Sequence, residues 1–155
     1  MYFCLLFVMK NIISPCTEMF LTLGFKSVTM DDIAQKLGVS KKTLYTHYPN
    51  KEELIRACVF DFFNYVTEEI NGICQQSKNP IIELHDIKMF MMRHIKNEKI
   101  SPQYQLKKYY PEIFHELSDK QLHFMIGCVS KSLNEGVAMG LFRDNLNIPF
   151  IARLY

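Results

Sequence analysis

The stretch MDDIAQKLGVSKKTLYTHY, residues 30–48, decides the fold. Ile33, Ala34 and Leu37 share one helical face before Gly38, and Val39 and Leu44 follow it, where two crossing helices must pack. Ala34 is small enough for a close approach, and Gly38 permits the turn. Thr29 stands where an N-cap is needed, with Asp32 three residues on to close a capping box. Ser40 caps the next helix in the same way. The spacing therefore predicts a helix over 30–37, a Gly turn, and a short helix from 41 to about 46, which is the outline of a helix-turn-helix.

Working outward, helical signals recur and strand signals do not. Ser14-Pro15 offers an N-cap and a first-position proline, so a first helix is expected over 15–23, ended by Gly24. Asn50 and Glu53 bracket the start of a fourth helix reaching Cys74 or Gln75. Leu54, Cys58, Phe62, Val66, Ile70 and Ile73 line one face of it. Asn79-Pro80 opens a fifth, with Ile82, Leu84, Ile87, Met91 and Ile95 inward, and Ser101-Pro102 opens a sixth. Pro111 marks a kink or break. A seventh helix is expected from Asp119 to Met139, with Leu122, Met125, Ile126, Val129 and Leu133 inward and Gly140 behind it; Asn147-Ile148-Pro149 begins an eighth. The fold class is all-α: a three-helix helix-turn-helix head over 1–52, then a helical body over 53–155.

Nearly half of the 155 residues are apolar, which suits an ordered core, and the net charge of +2 is too small to name a partner. Its placement matters more. No acidic residue occurs from Ile33 through Lys51, a stretch that carries Lys41, Lys42 and Lys51 beside hydroxyls, a histidine and two tyrosines. A helix N-terminus offers amides to a phosphate, Ser40 adds a hydroxyl, lysines supply salt-dependent attraction, and Thr43, Tyr45 and His47 reach phosphates or base edges. Lysines alone describe a solvated helix face equally well. Combined with a packed helix-turn-helix, they describe a surface for double-stranded DNA.

Other chemistries find little support. Five cysteines without a Cys-x-x-Cys pair form neither a disulfide framework nor a zinc site, and fit a reducing cytoplasm. No apolar run approaches the roughly 18 residues of a membrane span. The N-terminal run MYFCLLFV lacks signal-peptide flanks; it reads as eight residues upstream of a true start at Met9, or as an apolar tail on the first helix. Glu112 and His115 match the Glu-x-x-His step of di-iron bundles, but no second pair accompanies them. No phosphate loop or nucleophile motif stands out, so neither an enzyme nor a cofactor nor a metal site is expected. The Met- and aromatic-rich segments 89–94 and 109–114 suit either plain core or a pocket for a small apolar ligand, with Arg93, His94, His115 and His123 as polar contacts or ordinary surface residues.

Residues 19–57 resemble the DNA-binding domain of the TetR family of bacterial regulators. The resemblance rests on Phe20, Gly24-Phe25, Thr29, Asp32-Ile33-Ala34, Gly38-Val39-Ser40, Leu44-Tyr45, His47-Tyr48 and Lys51-Glu52-Glu53-Leu54. The segment EGVAMGLFRDNLNIPFIARLY, 135–155, is similar to the join between that family's seventh and eighth helices. The resemblance implies that Thr29, Lys41, Lys42, Thr43, Tyr45, His47 and Lys51 face DNA, with Lys51 a phosphate anchor and Tyr48 in the core. It also implies a homodimer on a palindromic operator, released by a ligand. Two departures stand out: Pro15 inside the first helix, and an end early in the first of the two helices through which the family dimerises. The alternative is a truncated interaction protein that pairs with a full-length regulator and binds DNA weakly or not at all.

Overall fold

Ile33 and Leu44 are completely shielded from solvent, and local signals on both sides of Gly38 hold the backbone where that burial is achieved. In the computed structural model the described residues are 2–77, 79–95 and 102–154, with the side chains of 2–11, 94 and 95 outside the description. They form α1 (Tyr2–Leu23), α2 (Met30–Leu37), α3 (Lys41–His47), α4 (Lys51–Gln76), α5 (Pro80–Ile95), α6 (Pro102–Tyr109), α7 (Pro111–Ala138) and α8 (Ile148–Leu154). There is no strand among them.

α2 begins and ends as its sequence dictates. The Thr29 side chain accepts from the Asp32 amide, and the Asp32 carboxylate accepts from the Thr29 amide at 2.8 Å, a closed capping box. At the other end Gly38 adopts φ +65°, which an L side chain rarely tolerates. There its amide reaches the Gln35 carbonyl and the Val39 amide reaches Ala34, so two otherwise orphaned carbonyls are satisfied. Ser40 then caps α3 by accepting from the Thr43 amide at 3.0 Å, a contact that stabilises a helix by about 1 kcal/mol. Asn50 does the same for α4 through the Glu53 amide, and Asn79 for α5 through the Ile81 amide.

The chain divides into two compact units, Met1–Asn64 with Glu98–Leu117, and Tyr65–Asn97 with Ser118–Tyr155. In the first, Ile12, Ile13, Cys16, Met19 and Phe20 of α1 pack with Ile33, Leu44, Tyr48, Leu54, Ile55, Leu106 and Ile113 into one core. Arg56 of α4 pairs with Glu116 of α7 inside this unit. α6 lies close to the end of α1: a Cβ on Gly24 would stand 2.6 Å from the Gln105 amide group. In the second unit Val129, Leu133 and Ala152 form the buried centre, with Leu84, Ile126, Phe142, Ile148 and Ile151 against them. Gly136 has no side chain because the Phe142 ring occupies that space, 2.1 Å from where a Cβ would be.

Several expectations are corrected. α1 does not begin at Ser14-Pro15 but runs through Pro15 from Tyr2. Proline removes one helical hydrogen bond at a cost of about 3 kcal/mol. Just upstream, however, Ile12 and Ile13 are buried on the face that continues through Cys16, Met19 and Phe20. Burying two such side chains contributes about 1.5–3 kcal/mol each, enough to offset the loss. Residues 2–11 therefore belong to α1 instead of forming a separate tail.

α7 starts at Pro111, not Asp119. A proline at the first helical position lacks an amide that had no partner anyway, and Ile113 and Leu117 carry the buried stripe through the polar segment. Ile82 and Leu122, expected inward, are 55% and 54% exposed. Glu83 is turned in at 2% exposure, and its carboxylate meets the buried Ser132 hydroxyl. Of the other positions, Ile95 and His94 have side chains outside the description, and Ser101 lies outside the described residues.

Tyr48 is in the core, as expected, but its Oη is buried with no hydrogen-bond partner among the described residues. Burial pushes the phenol up to about 12. The folded state thus disfavours tyrosinate, and stability falls as pH rises from about 10, where unfolded tyrosine ionises, to about 12. Tyr48→Phe is expected to leave the fold intact and to match or exceed the parent's stability at neutral pH by up to about 1 kcal/mol. It should also flatten the alkaline loss, read by urea titration across that range. A variant that is less stable at neutral pH would mean the hydroxyl has a partner after all.

Candidate nucleic-acid interface

α3 has seven residues and a single buried one, Leu44. Because Leu44 points into the core, the remaining positions divide by helical geometry: Lys41, Lys42, Thr43 and Tyr45 are exposed and His47 is half-buried. The structure therefore brings these five onto one element, with Ser40 exposed at its start. Thr29 and Lys51 flank it on the α2 cap and the first position of α4.

The local partners show how each group is held. Thr29 donates its hydroxyl to Asp32 at 2.7 Å, so its side chain is committed to the cap. Those hydrogen bonds, from the Thr29 side chain and then its amide, hold the Asp32 carboxyl below the usual carboxylate range. The box consequently stays closed at neutral pH and opens only in acid, as Asp32 takes up a proton. The Ser40 and Thr43 hydroxyls lie 2.7 Å apart, and Thr46 donates back to the Lys42 carbonyl. Tyr45 keeps 41% of its surface exposed on the outer face.

Two cations have partners that sequence reading missed. The Lys41 ammonium lies 2.9 Å from the Asp31 carboxylate, which raises its pKa. Asp31 sits two positions before the acid-free stretch begins, and helix crossing carries it to α3. Both groups are well exposed, and such pairs are weak and yield to competing anions. Lys51 is half-buried and donates to the Lys26 carbonyl at 3.4 Å. Burial lowers its pKa and the nearby Asp32 acts against that. The signal for Lys26 was weak, a lone lysine in the turn after Gly24.

No three His, Cys, Asp or Glu side chains among the described residues come together as a metal site. No helix among them is long and apolar enough to cross a membrane. On α5, Met89 and Met92 are exposed, so that methionine run does not point wholly inward.

Residues 12–58, which contain α2, α3 and the flanking Thr29 and Lys51, match the family model of bacterial regulatory proteins, tetR family. The chain is 26% identical over 151 residues to the HTH-type transcriptional repressor KstR2 of Mycolicibacterium smegmatis, covering 92% of this chain and 71% of that protein. It is 40% identical over 55 residues to IcaR of Staphylococcus epidermidis, the negative transcriptional regulator of the biofilm operon icaADBC. That match covers 36% of this chain and 30% of IcaR. Among solved structures, a transcriptional regulator from Cytophaga hutchinsonii superposes with a TM-score of 0.79 at 20% identity, over 94% of this chain and 75% of that one. That likeness shows the fold.

Asp31→Asn removes the anion that holds the Lys41 ammonium. The variant is expected to bind any DNA duplex about two- to fivefold more tightly at low salt, with the gap closing as salt rises. Anisotropy titrations with one duplex at several salt concentrations read this directly; identical curves would show that the pair does not restrain Lys41.

Proposed function

We propose that the chain, whose residues 12–58 match the family model of bacterial regulatory proteins, tetR family, is a one-component transcriptional repressor of that family acting in the cytoplasm. It binds a palindromic operator as a homodimer and is released by a small apolar ligand. The observation that carries this reading is the outward polar face of α3 above the buried Leu44, within the segment that matches the family model. The head is residues 1–52 and the regulatory body 53–155.

Lys41, Lys42 and Lys51 neutralise phosphates, with Thr29 and Ser40 beside them, while Thr43, Tyr45 and His47 reach base edges in the major groove. Two heads in a dimer read half-sites about 34–36 Å apart, one helical turn of the duplex. The sign of regulation is supported by KstR2 and IcaR, whose names describe a repressor and a negative regulator.

The test is fluorescence anisotropy with DNA from upstream of the protein's own gene beside a scrambled duplex, at two salt concentrations. A preference of about a hundredfold is expected, since specific sites exceed nonspecific ones by that much or more. Replacing Lys41 and Lys42 by alanine should weaken binding to both duplexes and flatten the salt slope by about one unit per lost phosphate. Tyr45→Phe and His47→Ala should instead alter sequence preference. A salt slope unchanged in the double variant would sink the assignment of those lysines.

A further inference from the structure

The first unit carries a second concentration of positive charge outside the helix-turn-helix. From Lys99 to Pro111 the chain has no acidic residue, and α6 ends on Lys107, Lys108 and Tyr109. The Lys108 Nζ lies 5.4 Å from the centre of the Tyr109 ring and 5.7 Å from that of Tyr104. Lys26, on the turn between α1 and α2, places its own Nζ 5.1 Å from the same Tyr109 ring. Lys107 stands 5.7 Å from the Phe114 ring. The three lysines and both tyrosines are exposed.

Two features separate this patch from an ordinary solvated helix face. None of the three ammoniums is paired with a carboxylate among the described residues. Lys26 and Lys108 both lie against the Tyr109 ring, and Lys108 also hydrogen-bonds with the Tyr104 and Tyr109 side chains, so aromatic groups hold these cations where carboxylates usually would. Long lysine side chains normally lose rotamer freedom when they grip an anion; here the aromatic rings have already restricted them, which lowers that cost. The patch is also built as one piece, because Gln105 of α6 packs on Gly24 at the base of the turn that carries Lys26.

Its position names the polyanion. Lys26 offers its carbonyl to the ammonium of Lys51 at 3.4 Å, so the patch adjoins the anchor at the start of α4. We propose that Lys26, Lys107 and Lys108, arranged on Tyr104 and Tyr109, form a second phosphate-gripping surface that holds the backbone of the same duplex beside the segment faced by α3. This rests on the DNA-binding reading above. The contact adds affinity and salt dependence without sequence information, since phosphates are alike at every step.

Amine acetylation of the full chain, with and without excess duplex from upstream of its gene, reads the surface lysine by lysine in a mass spectrometer. Lys88 and Lys131 of the second unit serve as references. Protection of Lys26, Lys107 and Lys108 together with Lys41 and Lys42 is the expected result. Protection of Lys41 and Lys42 alone overturns the second surface and leaves the proposed function standing. If no lysine is protected, the DNA-binding reading fails and takes this one with it. A Lys107→Gln/Lys108→Gln variant gives an independent readout: its salt slope should fall by about one to two units. An unchanged slope, with the fold verified by circular dichroism, overturns the proposal even if those amines are shielded.

Discussion

A helix of seven residues has almost no stability of its own, because the cost of the first turn is not recovered over so short a length. α3 exists because Leu44 is drawn out of water into the core that α1, α2 and α4 build around it. Everything on the outer face depends on that one insertion. With Leu44 fixed inward, helical geometry turns Lys42, Thr43 and Tyr45 outward, while Lys41, three residues before it, is exposed because it is the first residue of α3. The Ser40 hydroxyl and the Gly38 turn set where α3 begins, and Tyr48 sets where it stops, at the expense of burying a hydroxyl without a partner.

The cations of this surface are positioned before any ligand arrives. Lys41 leans on Asp31 and Lys51 on the Lys26 carbonyl, while Lys26 and Lys108 rest on the same aromatic ring. None of these holds is strong. Exposed ion pairs and exposed cation–π contacts each contribute little. Their value is in restricting long side chains to the solvent face without locking them there.

Much of this was legible because it is local. Capping boxes, the left-handed glycine and the Asn-x-Pro or Asn-Lys-Glu-Glu starts each act over three or four residues, and α2 fell on 30–37 as its signals implied. The failures have a common form. Ser14-Pro15 carries every local mark of a helix start, yet α1 continues upstream because Ile12 and Ile13 have a core to enter. The break at Tyr110–Pro111 is where its proline implied, but the next helix starts at once on Pro111 and not at Asp119, because Ile113 and Leu117 have a core to enter.

The sequence by itself determined the all-α class, the helix-turn-helix and the polar residues exposed on α3, since these follow from periodicity and capping along a single stretch. Tertiary structure alone decided that Glu83 goes inside while Ile82 and Leu122 stay out, because the inward face of a long helix is set by which neighbour it meets. It also decided the partners of Lys41 and Lys51, and brought Lys26 to α6, across 82 positions of chain from Lys108. Such pairings have no local signature: a Coulomb or aromatic contact depends on distance in space, and sequence order carries that distance only within a helical turn or two.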